Sequence, residues 1–295
     1  MDIEKLKEER GYSLIDAFTE GLARVKKDGK WGYIDQTGKE VIPCQYDDAW
    51  DFREGLALVK KDGKWGYIDK TGKVVIPCQY DDACDFSEGL ALVEKDGKRG
   101  YIDQTGKEVI PCQYDYAWDF REGLAYVKKD GKYGYIDQTG KEVIPCQYDD
   151  AWSFNEGLAC VGKDDKWGYI DKTGKEVIPC QYDGAWNFSE GLARVKKDGK
   201  EFNIDRFGNE YYTIEEVEIF RETYKEISKK KKEAITAIEN AASEEVDVIK
   251  EKLAEEINKL RAEIARDIEA LRQKEDDAAK LAEKKQTAKT EIENM

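Results

Sequence analysis

A period of 34 residues constrains this chain more than any other feature of it. Gly32, Gly66, Gly100, Gly134 and Gly168 mark one phase of the repeat, and Pro43, Pro77, Pro111, Pro145 and Pro179 mark another. The copies run over residues 12 to 45, 46 to 79, 80 to 113, 114 to 147 and 148 to 181, with a worn sixth from 182 to about 213. A fixed period of this size implies a repeat architecture, in which each unit buries its apolar face against its neighbours and is unstable alone. Function is therefore to be sought in the array and its surface.

Three short apolar runs make up a copy: Gly55 to Val59, Trp65 to Asp69 and Val74 to Pro77. Asp62-Gly63 joins the first two and signals a tight primed hairpin, because glycine accepts the positive φ such a turn requires. Gly72 suits the left-handed position of a slightly longer loop before the third run. Each copy thus reads as a three-stranded meander, and Pro77, which has no amide hydrogen for a ladder, is expected to end its third strand. Gly66 leaves room for a neighbouring backbone or ring, and a stacked ring is the expected occupant. In the connecting loop, Ala49, Trp50 and Phe52 recur with only Cys84 breaking the tryptophan series, and all three positions are expected to pack over the core.

The formal net charge of -15 argues against a general nucleic-acid or anionic-membrane surface. The opening MDIEKLKEER lacks the apolar core of a signal peptide, and nowhere do about 18 uncharged apolar residues run together, so a cytoplasmic protein is expected. Cys44, Cys78, Cys112, Cys146 and Cys180 share one phase of the repeat, which suits a small side chain used repeatedly rather than a disulfide framework. The chain has no histidine, and zinc sites favour clustered Cys and His, so no metal site is assigned. The loop carboxylates Asp47, Asp48, Asp51 and Glu54 read as solvated or turn-capping charge. With no Gly-rich phosphate loop and no nucleophile motif either, the chain reads as a non-enzyme with no catalytic residue and no cofactor.

The run KWGYIDKTGKVVIP, followed by a YDDAWDF loop and an EGLALV strand, resembles the WG-repeat (KWG-repeat) family of bacterial proteins, over about residues 12 to 213. Departures from the pattern fall at Arg99, Tyr133 and Glu201-Phe202. The resemblance implies an all-β repeat module used for interaction rather than catalysis. Because Tyr12 to Asp16 and Glu201 to Tyr212 are atypical, as the ends of an open array should be, an open solenoid of six units is expected, with a six-bladed propeller-like ring as the alternative.

Residues 1 to 11 form a polar leader, 12 to 213 the β-repeat domain, and 214 to 295 a helical tail without glycine or proline. Thr213 to Glu216 fits a capping box. Beyond it, Val246, Ile249, Leu253, Ile257, Leu260, Ile264, Ile268 and Leu271 follow an eleven-residue pattern, which predicts a straight or weakly right-handed coiled coil and hence a homo-oligomer. The tryptophan phase reads Trp31, Trp65, Arg99, Tyr133, Trp167 and Glu201, and a position that admits charge is expected to be partly exposed. Trp31, Trp65, Tyr133 and Trp167 are accordingly the candidate protein-binding face. The expected function is a non-catalytic scaffold for protein partners, with a glycan-binding repeat as the alternative and neither nucleic acid nor membrane as a partner.

Overall fold

The computed structural model describes the backbone of residues 3–239 and 243–293, and the chain forms two compact units, Met1–Cys180 and Gln181–Met295. In the first unit, helix α1 (Ile3–Arg10) precedes a series of four-stranded antiparallel sheets, each with its strands in chain order. The second sheet comprises Asp48–Ala49, Leu56–Lys61, Lys64–Asp69 and Val74–Tyr80. Asp62 and Gly63 have φ of 53° and 80°, the two positive values of the expected primed turn.

Two details of the repeat differ from the sequence reading. The meander has four strands rather than three, because the loop residues Asp48 and Ala49 pair with Lys60 and Val59 and guard the sheet edge. Pro77 does not end its strand. The strand runs on to Tyr80 through a bulge, with Tyr67 opposite Ile76 and Trp65 opposite Tyr80, and the missing proline amide falls where the ladder is already broken. What lies over Gly66 is this bulge and not a ring: a Cβ there would come within 2.6 Å of the Ile76 carbonyl oxygen and the Cys78 amide nitrogen. The worn copy supplies the control. Phe202 stands in the glycine position, and there the last strand is only Glu210–Tyr211, paired without a register shift.

Successive sheets of the first unit pack face to face. Ala49, Phe52, Ala57, Val59 and Ile68 meet Tyr33, Ile42 and Tyr46 of the sheet before, while Leu58, Trp65, Tyr67 and Ile76 meet Ala83, Phe86, Ala91, Val93 and Ile102 of the sheet after. Both faces of a sheet are therefore core. The outer face of the first sheet, with Ala23, Val25 and Ile34, is covered by Tyr12 and by Leu6 of α1, so the polar leader is in part a cap. Cys44, Cys78, Cys112, Cys146 and Cys180 lie half-buried with Sγ near a valine carbonyl, as at Cys78 to Val59, 3.7 Å, and all seven cysteines are free. Burial pushes these thiols above their ordinary value.

The loop before each long strand is closed by an aspartate. Asp69 accepts from the Thr71 hydroxyl at 2.6 Å, the Thr71 amide at 2.9 Å and the Lys73 amide at 3.1 Å, and Asp35, Asp103, Asp137 and Asp171 repeat the pattern. The threonine hydroxyl first, and then the two amides, hold all five carboxyls below their ordinary 3.8. A pKa lower in the folded chain than in the unfolded one adds stability above the unfolded value, and that stability is lost as pH falls through the folded value. The urea midpoint should thus stay level from about pH 7 to 5 and drop below about pH 4. Asp69→Asn should make the drop shallower.

In the second unit, the sheet Gly184–Ala185, Leu192–Lys197, Lys200–Asp205 and Glu210–Tyr211 is followed by α2 (Ile214–Glu239) and α3 (Ser243–Glu293). The capping box forms reciprocally: the Glu216 amide donates to the Thr213 hydroxyl at 3.2 Å, and the Thr213 amide to the Glu216 carboxylate at 3.1 Å. The helical tail is two helices, and part of its apolar stripe packs within the chain. Ile227 of α2 packs on Ile257 and Leu260, with Leu253 alongside, and Phe220 packs with Ile264 and Ile268 against Leu192 and Tyr211 of the sheet. Contacts that climb α3 while descending α2 make the pair antiparallel, and Lys230 to Glu256 at 2.9 Å and Arg272 to Glu216 at 2.5 Å follow the same order. The stripe is used inside the chain because the sheet and α2 offer the apolar surface that a lone helix lacks. Val246, Ile249 and Leu271 remain half-buried, and Ala242, which extends the pattern eleven residues before Leu253, lies outside the described residues.

Candidate functional site: an aromatic edge

The tryptophans that reach solvent are those of the loop. Trp50, Trp118 and Trp152 are 50%, 42% and 46% exposed, whereas their neighbours Ala49 and Phe52 are buried. Their expected packing role is corrected by the edge strand itself. Ala49 opposite Val59 points into the core, so the next residue, at the sheet rim, points the other way and is exposed.

The backbone beneath each of these side chains is fixed twice. The Trp50 amide donates to the Leu58 carbonyl at 2.9 Å, and the Trp50 carbonyl accepts from the hydroxyl of Tyr33, in the sheet before, at 2.7 Å. The same phenol bond ties Tyr67 to Cys84 (2.6 Å), Tyr101 to Trp118 (2.6 Å) and Tyr135 to Trp152 (2.8 Å). Each tyrosine ring is wedged against a phenylalanine, as in Tyr33 with Phe52 at 4.9 Å. Burial drives the hydroxyls of Tyr33, Tyr67, Tyr101 and Tyr135 far above their ordinary range, so they remain donors. A buried bond of this kind contributes about 1 kcal/mol and, repeated, sets the spacing of the exposed rings.

The residues expected to form the binding face lie deeper. Trp65 is 9% exposed, and Trp31, Tyr133 and Trp167 are half-buried. Trp31, Trp65 and Tyr133 pack on the next sheet, and Lys26, Lys60 and Lys128 cover their rings at 4.9, 5.2 and 4.8 Å. Arg99 is tolerated because its cross-strand partner changes with it: Glu94 replaces lysine and pairs with Arg99 at 3.1 Å. That exchange was visible in the sequence, five residues before each tryptophan position.

The loop carboxylates are committed one by one. Asp47 pairs with Lys30, Asp48 accepts from the Ala49 amide at 2.9 Å, Asp51 pairs with Arg24 at 3.0 Å, and Glu54 accepts from Gln104 at 2.9 Å. Among the described residues, no three Cys, Asp or Glu side chains converge as metal ligands would. In the second unit, Trp186 is likewise exposed, at 43%, with the Arg194 guanidinium over its ring at 5.1 Å. The edge offers rigid amphipathic rings and hydrogen-bond donors, which suits binding.

The sequence profile described as "WG containing repeat" matches at residues 10–31, 31–65, 65–98, 100–133, 133–167 and 167–200. A search of the curated proteins finds no match. Among solved structures, Hsv2p of Kluyveromyces lactis is similar at 10% identity and a TM-score of 0.39, covering 67% of this chain and 75% of that one. The dihydro-heme d1 dehydrogenase NirN in complex with DHE is similar at 16% identity and a TM-score of 0.36, covering 64% and 54%. Among the described residues, no helix is long and apolar enough to cross a membrane.

Proposed function

We propose that this chain, which belongs to the WG-repeat family, is a non-catalytic scaffold that holds a protein partner along the edge carrying Trp50, Trp118 and Trp152. The observation that carries the reading is the exposure of these indoles on backbone that buried tyrosines hold in place. Large rings already fixed in position lose little entropy on binding, which is why tryptophan and tyrosine dominate interface energetics. Free thiols throughout suit a reducing compartment, and thus the cytoplasm.

Affinity capture with the parent chain and with Trp50→Ala/Trp152→Ala tests the proposal. Proteins held by the parent should be lost about tenfold or more from the variant, while its melting temperature stays within the range of surface substitutions. Equal retention by both would overturn it, as would capture of peptidoglycan fragments alone.

A further inference from the structure

The fifth copy breaks the pairing that covers the aromatic rings of the Trp-Gly phase. Across the hairpin Lys26 stands opposite Trp31, Lys60 opposite Trp65 and Lys128 opposite Tyr133, each with its ammonium over the ring. Opposite Trp167 stands Gly162, and among the described residues no cation lies over that indole. The backbone does not require glycine here, since a Cβ on Gly162 would meet the Asp150 Cβ at 3.4 Å and the Trp167 Cδ2 at 3.7 Å, both ordinary contacts. Glycine inside a strand weakens it, so a local preference has been given up. The same hairpin gives up a second: Asp165, with φ of 58°, stands where other copies have Gly29, Gly63, Gly97, Gly131 and Gly199. The two exchanges remove a positive charge and add a negative one.

Both residues line one cavity of about 240 Å³, together with Asp150 and Trp167. Asp150, Gly162 and Trp167 face one another on three adjacent strands, so the missing lysine leaves a gap between a carboxylate and an indole. The Ala151 amide fixes Asp150 by donating to its Oδ1 at 2.8 Å, and among the described residues Asp150 forms no ion pair. Asp149, in the same wall, is already committed to Lys132 and to the Asp164 amide. Lys163 and Lys166 also border the cavity, but neither lies over the ring. We propose that this gap is a slot for a primary alkylammonium, which enters where the other copies place their own lysine, its stem along the Trp167 indole and its charge toward Asp150 and Asp165. The lysine-covered copies identify the occupant, because the same ladder positions there hold an ammonium 4.9, 5.2 and 4.8 Å from the ring centroid. Tryptophan is the ring that attracts a cation best, and an alkyl stem packs on apolar surface while its charged head stays wet. A lysine side chain of a partner and a free amine share this chemistry. The slot does not rest on the reading of Trp50, Trp118 and Trp152 as a partner-holding edge.

Nuclear magnetic resonance of the full chain tests the slot, with the Trp167 indole N–H assigned through Trp167→Tyr, the residue that Tyr133 supplies in the fourth copy. The probes are n-butylammonium, 1-butanol as its uncharged isostere, and Nα-acetyl-lysine amide. The ammonium should shift the Trp167 resonance in a saturable way, and butanol at the same concentration should not. Gly162→Lys installs the residue of Lys26, Lys60 and Lys128, so it should fill the slot from within and weaken binding by about tenfold or more. Asp150→Asn/Asp165→Asn, which keeps both shapes and removes both charges, should weaken binding too and serves alone if Gly162→Lys does not fold. Tighter binding of the lysine derivative would place the ammonium on a protein partner and tighter binding of butylammonium on a free amine, and either supports the slot. Equal shifts with butanol, or binding that survives these substitutions unchanged, overturn it.

Discussion

Gly66→Ala is expected to destabilise the repeat array by on the order of 3 kcal/mol, although glycine at this position has an ordinary φ. The added methyl would lie 2.6 Å from the Ile76 oxygen and the Cys78 nitrogen and 2.7 Å from the Pro77 carbonyl carbon. All three are backbone atoms of a bulge that proline stiffens, so relief requires the outer strand to shift and its ladder to break. Gly63→Ala provides the contrast: its Cβ meets nothing within 4 Å, and only the φ of 80° opposes it, at about 1 kcal/mol. Urea midpoints measured on both variants should differ in that order. Equal losses would show that the bulge yields, and the account of the Trp-Gly pair would fail.

Much of this was legible beforehand and some was not, for identifiable reasons. The period, the Asp62-Gly63 turn and the capping box at Thr213 are local chemistry, fixed by residues close in sequence. The continuation of the strand through Pro77 was not, because a bulge depends on what lies opposite, and Gly66 is eleven residues away. The exposure of Trp50 was hidden for a different reason: an indole in an apolar loop reads as core unless the strand's direction at the sheet rim is known. One signal was available, since Cys84 replaces tryptophan at this position in one copy. The four candidate aromatics of the Trp-Gly pair were placed at a surface because Arg99 and Glu201 share their phase. The covarying Glu94 opposite Arg99, and Arg194 paired with Glu201, account for the charges locally.

Replacing Ile257, Leu260 and Ile264 by aspartate is expected to unfold the C-terminal unit. These residues are buried against Ile227, Phe220 and the last sheet, and each buried unpaired carboxylate costs several kcal/mol. Far-UV circular dichroism should lose much of its helical signal while the β array still melts cooperatively. The mass from light scattering should be the same before and after substitution. A parent that is oligomeric, with a variant that is folded and monomeric, would restore the stripe as a self-association surface.

The ties between layers also bear on how such a chain can change over generations. A tyrosine hydroxyl reaches 17 residues ahead, and a glutamate such as Glu20 reaches the Gly55 amide 35 residues ahead, with the same partners recurring at later layers. Each seam is indifferent to which copies it joins. Removing or duplicating one whole period, in the gene, would bring a tyrosine to an equivalent carbonyl and a glutamate to an equivalent amide, with no core to redesign. Array length is therefore open to recombination in steps of 34 residues, while the few side chains that face outward can diverge copy by copy.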